Sequence, residues 1–98
     1  MPSRVDLHHA AVDELLQAAT HYADVAPDVS EAFAREVQRA LDTVAASPLR
    51  WPFERAPARR YLLKRFPFKL IYVVEKDRCL VLAIAHVKKR PGYWNDRT

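Results

Sequence analysis

The stretch from Phe66 to Trp94 constrains the fold most, because it contains the two most continuously apolar runs of the chain. The first runs from Phe68 to Glu75 and the second from Leu80 to Val87, with a polar turn at Lys76–Arg78 between them. Eight-residue runs that are mostly apolar and bounded by a turn are typical of β-strands. Because a short turn joins them, we expect the two strands to pair antiparallel.

Side chains of a strand point alternately to its two faces, so each run predicts two sets of neighbours. The first strand should place on one face Phe68, Leu70, Tyr72 and Val74, and on the other Lys69, Ile71 and Val73. The second should alternate Leu80, Leu82, Ile84 and His86 with Val81, Ala83, Ala85 and Val87. We expect Tyr72 to be half-buried, and the second strand to lie in the interior of the sheet.

Two amphipathic helices are predicted in the first half of the chain. The first extends from Ala10 to about Ala26, with an apolar face of Val12, Leu15, Leu16, Ala19, Tyr22, Ala23 and Ala26. Its polar side should carry Asp13, Glu14, Gln17 and Asp24. The second begins at Pro27 and ends near Ala46, with Val29, Phe33, Val37, Leu41 and Val44 at helical spacing. A short link between two such helices predicts an antiparallel hairpin.

The remaining segments complete the predicted sheet. Arg4 to His8 suits a short edge strand, whereas Ser47 to Ala58 contains three prolines and should lack regular structure. Another strand should occupy Arg59 to Arg65, and Phe66-Pro67 should reverse the chain. The expected fold is α+β, in one domain spanning residues 1–98. A helical hairpin and an N-terminal edge strand join a twisted, mainly antiparallel sheet of about four strands, with one face partly open.

The net charge of +4 conceals a strong asymmetry between the two halves of the chain. Residues 1–47 carry three basic and eight acidic groups, whereas residues 48–98 carry thirteen basic and four acidic groups. The basic half indicates an acidic partner or a phosphate backbone. The alternative is a set of solvated strand edges, on which lysine and arginine discourage aggregation.

Several classes of function are disfavoured by the same composition. The sequence contains no apolar stretch long enough to span a membrane and no signal-peptide pattern, so we expect a cytoplasmic protein with no membrane partner. Cys79 is the only cysteine and reads as a structural residue of a strand. His8, His9 and His21 lack a second set of ligands, so we expect no metal site and no cofactor.

The order of these elements, together with a few short motifs, resembles the RelE/ParE superfamily of toxins from bacterial type II toxin–antitoxin modules. The motifs are Phe66-Pro67-Phe68 followed by Ile71-Tyr72, a strand ending in Ala85-His86, and Arg90-Pro91-x-Tyr93-Trp94. The resemblance covers nearly the whole chain. It implies a helical hairpin packed on an antiparallel sheet, and toxicity when the antitoxin is lost. It also implies a hetero-oligomer with a cognate antitoxin that wraps the toxin with a disordered, often acidic segment.

The two branches of this superfamily differ in mechanism. RelE-like members cleave messenger RNA on the ribosome, which requires a base, cations around the phosphorane and an acid for the leaving oxygen. They commonly carry Gly-x-Tyr-Arg where this chain has Phe66-Pro67-Phe68-Lys69. Arg90 and Tyr93 match the later arginine and tyrosine of that branch. If the chain is RelE-like, the catalytic residues are Arg90, Tyr93 and His86.

ParE-like members poison DNA gyrase by binding, without covalent chemistry of their own. They show Phe-Pro-Phe or Phe-Pro-Tyr and a tail close to the one found here, so this branch is the preferred interpretation. The residues expected to bind the target or the antitoxin are Arg60, Lys64, Arg65, Lys88, Lys89, Arg90, Tyr93, Trp94 and Arg97. A third hypothesis is a non-toxic remnant that retains antitoxin binding alone.

Structural roles compete with functional ones at the tail. His86 ends the central strand and could serve as a base, although a hydrogen bond that holds the strand end is the preferred interpretation. Arg90 and Tyr93 are the best functional candidates. Their alternative is a tail docked on the sheet, with Trp94 filling a gap and Arg90 meeting an acidic residue of the N-terminal half.

Overall fold

The computed structural model describes residues 4–97, and its two helices match the predicted hairpin. Helix α1 spans His9–Val25 and helix α2 spans Pro27–Ala46. His8 caps α1, because its Nδ1 accepts a hydrogen bond from the Ala10 amide at 3.0 Å. Pro27 explains the sharp break between the helices, since a proline favours an extended conformation in the residue before it. Ala26 adopts that conformation, with φ −167° and ψ 137°.

Five strands form one mixed sheet in the order β1-β5-β4-β3-β2. They are β1 Arg4–Leu7, β2 Phe53–Arg55, β3 Ala58–Leu62, β4 Phe68–Val74 and β5 Arg78–His86. The edge strand β1 runs parallel to β5, and the other neighbours are antiparallel. This arrangement, with two helices against one face, confirms the predicted α+β class.

The expectation of about four strands and an irregular segment from Ser47 to Ala58 was wrong in one respect, since β2 lies within it. Pro52 precedes this strand and Pro57 follows it, so neither proline stands where the ladder needs an N–H donor, and the Pro52 carbonyl accepts from the Arg60 amide at 3.0 Å. Strand β2 is also an edge strand, where prolines are tolerated. A strand of three residues between prolines is too short to show the alternation of apolar and polar residues by which strands are predicted.

A β-bulge at Leu82 changes the predicted faces of β5. Val81 pairs with Tyr72 and Ala83 pairs with Ile71, so Leu82 is an extra residue on β5. Cys79, Val81 and Ile84 therefore pack toward the helices, whereas Leu80, Leu82 and Ala85 pack on the opposite face. The expectation that Ile84 shares a face with Leu80 and Leu82 was wrong, because side-chain alternation cannot show a bulge in a run that is apolar on both faces.

The helix-facing core contains a cluster of aromatic rings around Phe33 of α2. Phe33 is fully buried, and its ring centroid lies 5.2 Å from those of Tyr22 and Phe66 and 5.4 Å from that of Phe68. The Phe66-Pro67-Phe68 segment therefore contributes to the core, and the chain reverses there with Leu63 N–H bonded to Phe68 O at 2.9 Å. The motif that carries the family resemblance serves the packing of the hairpin on the sheet.

Helix α1 is rotated from the predicted orientation. Val12 and Leu16, expected on the apolar face, are exposed, whereas Ala11 and Ala18 are buried. Glu14, expected on the polar side, faces inward toward β5 and the C-terminal segment. The predicted face was right for Leu15, Ala19 and Tyr22, which pack against the core. It was wrong elsewhere because alanines contribute little to a hydrophobic pattern, and because the partners of Glu14 lie far away in the sequence.

Tyr72 is fully buried, deeper than expected, and its hydroxyl donates to Pro48 O at 2.6 Å. Burial raises the pKa of Tyr72 from 10.0 to about 12. A pKa raised by folding contributes stability that is fully present below the unfolded value and is lost as pH rises through the folded value. Stability from this group should therefore fall between about pH 10 and pH 12.

We expect Tyr72→Phe to lower stability at neutral pH by about 1 kcal/mol, the typical worth of one hydrogen bond. The variant should then lose less further stability than wild type between pH 10 and pH 12, because the group that would ionise is gone. Urea denaturation at a series of pH values measures both effects. Parallel declines of the two proteins across that range would contradict the role given to the buried hydroxyl.

Candidate functional site

Glu14 of α1 ties the C-terminal segment to the body of the protein. Its Oε2 accepts from the Tyr93 hydroxyl at 2.7 Å and from Arg97 at 3.1 Å, and its Oε1 accepts from Arg97 at 2.8 Å. The Glu14 and Arg97 side chains are only 18% and 17% exposed. Because the pair is bidentate and mostly shielded from water, it fixes the tail more firmly than a surface ion pair would.

Glu14 and Arg97 also form hydrogen bonds with the backbone of β5 where that strand has no neighbouring strand. Strand β1 ends at Leu7, and the last bond on that side joins the His8 amide to Val81 O at 2.8 Å. Beyond this point, the Ile84 amide donates to Glu14 at 3.1 Å, and Arg97 donates to Leu82 O at 3.0 Å. Side chains thus take the place of a neighbouring strand, as buried backbone groups require.

The tail itself folds back over the open face of the sheet. Gly92 has a φ of +76°, a left-handed conformation that glycine adopts without the strain other residues incur. Trp94 is 4% exposed and packs with the open-face residues of β4 and β5. The predicted gap-filling role of Trp94 therefore matches its position, whereas the acidic contact belongs to Arg97 and Tyr93 rather than to Arg90.

The electrostatics of Tyr93 limit what it can do chemically. Burial raises the pKa of Tyr93, and the hydrogen bond to Glu14 raises it further. The Glu14 bond likewise raises the pKa of Arg97. Tyr93 is therefore a neutral hydrogen-bond donor, and its hydroxyl already donates to the Glu14 carboxylate.

A cleft of about 300 Å³ opens between α1, β5 and the tail. Its lining includes His86, Lys89 and Tyr93, with the Lys89 ammonium 5.2 Å from the Tyr93 ring centroid. His86 Nδ1 accepts from the Lys88 amide at 3.1 Å, and its ring lies edge-on to Phe68 at 5.1 Å. His86 and Tyr93 thus share this cleft, whereas Arg90 is exposed and is not part of its lining.

The predicted binding residues fall into two separate groups. Lys88, Lys89 and Arg90 follow β5 and are exposed, whereas Arg60 on β3 and the Lys64-Arg65 pair after it line cavities that also include residues of α2. Among residues 4–97, Lys88, Lys89 and Arg90 have no ion pair with a carboxylate. We name these three residues the tail cluster. Tyr93, Trp94 and Arg97 lie next to it but are turned inward.

Glu36 is a structural residue that sequence reasoning missed. It is buried on α2 and accepts hydrogen bonds from the backbone amides of Lys64 and Arg65, the latter at 3.0 Å. The sequence does place Glu36 on the apolar face of α2, since it lies three residues after Phe33 and one before Val37. A carboxylate at such a place indicates a buried acceptor. It fixes the backbone that presents two of the predicted cations.

Two further observations concern the described part of the chain. Neither helix within residues 4–97 is long and apolar enough to cross a membrane. No group of three potential metal ligands is found among those residues.

Only the comparison of structures finds a similar protein. No protein-family model matches the sequence, and no curated protein matches it either. The fold is similar to a chain of the solved structure "Chromosomal ParDE TA system from P. aeruginosa", with a TM-score of 0.76 and 17% sequence identity. The match covers 86% of this chain and 95% of that one. The predicted RelE/ParE-like fold is thereby confirmed.

Proposed function

We propose that this chain is the toxin of a type II toxin–antitoxin module, belongs to the ParE-like branch, and poisons DNA gyrase in the cytoplasm. The observation that carries the proposal is the structural similarity to a chain of a ParDE system over most of both lengths. The Phe66-Pro67-Phe68 segment and the tail motif support the ParE-like branch. In this proposal the toxin stabilises a gyrase–DNA intermediate by binding and performs no covalent step.

The arrangement of the tail disfavours the alternative, a RelE-like ribonuclease. RNA cleavage needs an acid that delivers a proton to the leaving oxygen. The Tyr93 hydroxyl has a raised pKa and donates to Glu14, so it is poorly suited to that role. Arg90 is exposed and does not line the cleft that Tyr93 and His86 share.

We further propose that a cognate antitoxin neutralises the toxin through an acidic segment. The tail cluster supports this, because Lys88, Lys89 and Arg90 are exposed next to each other and have no carboxylate partner among residues 4–97. An acidic chain would gain attraction without first breaking an existing ion pair. The +9 half of the sequence also speeds encounter with such a partner.

A bacterial culture that expresses the chain without its partner gene separates the three hypotheses. We expect growth arrest with DNA breaks to which protein is covalently attached, and intact translated messages. Primer extension on those messages would instead reveal cuts in the ribosomal A site if the RelE-like alternative holds. A culture that keeps growing while it produces folded protein would support the non-toxic remnant.

We expect Arg90→Ala to reduce the yield of these breaks about tenfold, because a charged hydrogen bond to the target contributes about 1.5 kcal/mol. Stability should change by less than about 0.5 kcal/mol, because the side chain is exposed. Arg35→Ala is the matched control, since Arg35 is also exposed and its carboxylate partner Glu31 is 3.9 Å away. Equal break yields from the two variants would remove Arg90 from the target surface.

A further inference from the structure

A second basic surface lies between α2 and β3 and shares no lining residue with the cleft beside the tail. Two cavities of about 490 and 220 Å³ lie side by side and share the lining residues Thr43, Tyr61 and Lys64. We name these two cavities together the α2–β3 groove. The cations that line it are Arg39, Arg50, Arg60, Lys64 and Arg65.

The charge of the groove is largely uncompensated. Among residues 4–97, the side chains of Arg39, Arg50, Lys64 and Arg65 have no ion pair with a carboxylate, and Arg60 has only a 3.7 Å contact with Glu54. Glu36 is the one carboxylate in the described lining. It is buried and already accepts from the Lys64 and Arg65 amides, which leaves their charged groups free of it. Five cations against one carboxylate in the described lining leave the groove with a net positive charge.

Two aromatic rings lie among these cations. The Trp51 and Tyr61 centroids are 4.7 Å apart with their planes at 82°, and the Arg50 guanidinium lies 5.1 Å from the Trp51 centroid. Arg59 fixes the loop that carries Trp51, because it donates to Trp51 O at 2.6 Å and to Leu49 O at 3.1 Å. Rings held in place by a pinned loop lose little entropy when a flat ligand packs against them.

Trp51 also has an unusual polar atom. Its indole Nε1 is buried and has no hydrogen-bond acceptor among residues 4–97. A buried donor without an acceptor costs about 1–3 kcal/mol. This nitrogen is itself buried, so the groove offers a ligand the accessible parts of the Trp51 and Tyr61 rings rather than this donor.

We propose that the α2–β3 groove binds a single strand of nucleic acid, with phosphates on the cations and a base against the Tyr61 and Trp51 side. Alternating cations and aromatic rings are the usual means of binding single strands, since every base has a flat face. An acidic peptide would also pair with the cations, but it would bring no flat group to the two rings. This inference goes beyond the proposed function and does not depend on gyrase being the target.

The test uses the purified chain with fluorescently labelled ten-nucleotide strands of deoxythymidine and, in parallel, of uridine. Lys64→Glu is compared with Lys76→Glu, because both lysines are exposed and both changes lower the net charge equally. Lys76 lies in the turn between β4 and β5, outside the groove. We expect Lys64→Glu to weaken binding at least fivefold and to reduce the slope of affinity against salt by about 0.7. Lys76→Glu should change affinity less than twofold.

Arg50→Glu provides a second exposed variant at the other end of the groove, with the same expected loss. Thermal unfolding by circular dichroism verifies that each variant is folded. Equal losses for Lys64→Glu and Lys76→Glu would overturn the proposal, since they would indicate attraction by net charge alone. Binding of a polyglutamate peptide in the groove, with no binding of either strand, would also overturn it. The ratio of the two strand affinities distinguishes DNA from RNA, and because the assay contains no gyrase its outcome is separate from that of the toxin hypothesis.

Discussion

Glu14→Ala should destabilise the protein by about 3 kcal/mol, because it leaves a largely buried arginine and a backbone amide without their acceptor. The Glu14 carboxylate receives hydrogen bonds from Ile84, Tyr93 and Arg97, which belong to the sheet and to the tail. Its loss should detach the tail as well as weaken the fold. Urea denaturation gives the change in unfolding free energy, and amide hydrogen exchange of the tail gives the local loss of protection.

Glu31→Ala serves as the matched control for this prediction. Glu31 makes an ion pair with Arg35 at 3.9 Å on the exposed face of α2, and such a pair is worth about 0.5 kcal/mol or less. If Glu14→Ala and Glu31→Ala cost the same, Glu14 is an ordinary surface carboxylate and the tail is held by the packing of Trp94 alone.

Phe33→Ala should cost about 3–5 kcal/mol, which is a large part of the total stability of a domain of this size. The ring is fully buried and contacts Tyr22, Phe66 and Phe68, so its removal leaves a cavity where the hairpin meets the sheet. Substitutions at such a site also remove the edge-to-face contacts between rings. The midpoint of urea or thermal unfolding measures the effect.

The control for Phe33 is Phe53→Ala, which deletes the same side chain at a position that is 49% exposed. Phe53 contacts the Arg59 guanidinium, 4.1 Å from its centroid, so we expect a loss of about 1 kcal/mol or less. A loss at Phe33 as small as the one at Phe53 would mean that the helices move to fill the cavity, and that the aromatic cluster does not fix their position.

Elements that depend on local signals could be predicted from the sequence. The bounds of α2 follow from Pro27 at one end and from the end of the apolar spacing at Ala46. The β4–β5 hairpin follows from two apolar runs and a polar turn. In both cases neighbouring residues carry the information, so the chain can be interpreted segment by segment.

Features that depend on distant residues could not be predicted. Glu14 lies 79 positions before Tyr93, and nothing near Glu14 indicates that the tail will reach it. The Leu82 bulge is hidden because both faces of β5 are buried, so a shift in alternation leaves the composition unchanged. Glu36 was the exception, since a carboxylate on an apolar helix face is visible in the sequence.

The candidate site was only partly accessible to sequence reasoning. The cations of the tail and of β3 stood out by their density, but their separation into the tail cluster and the α2–β3 groove needed the fold. Tyr93 and Arg97 were grouped with binding residues, while the structure turns both toward Glu14. Motif position predicted which residues lie together but not which way their side chains point.

The most direct test of the toxin hypothesis is the fraction of plasmid recovered as linear DNA after purified gyrase, ATP and the folded chain react and are then quenched with detergent and protease. A gyrase poison traps the cleaved intermediate, so the linear fraction should rise with the concentration of the chain and then saturate. A folded preparation that leaves this fraction at the level of gyrase alone, at every concentration, would contradict the proposed function.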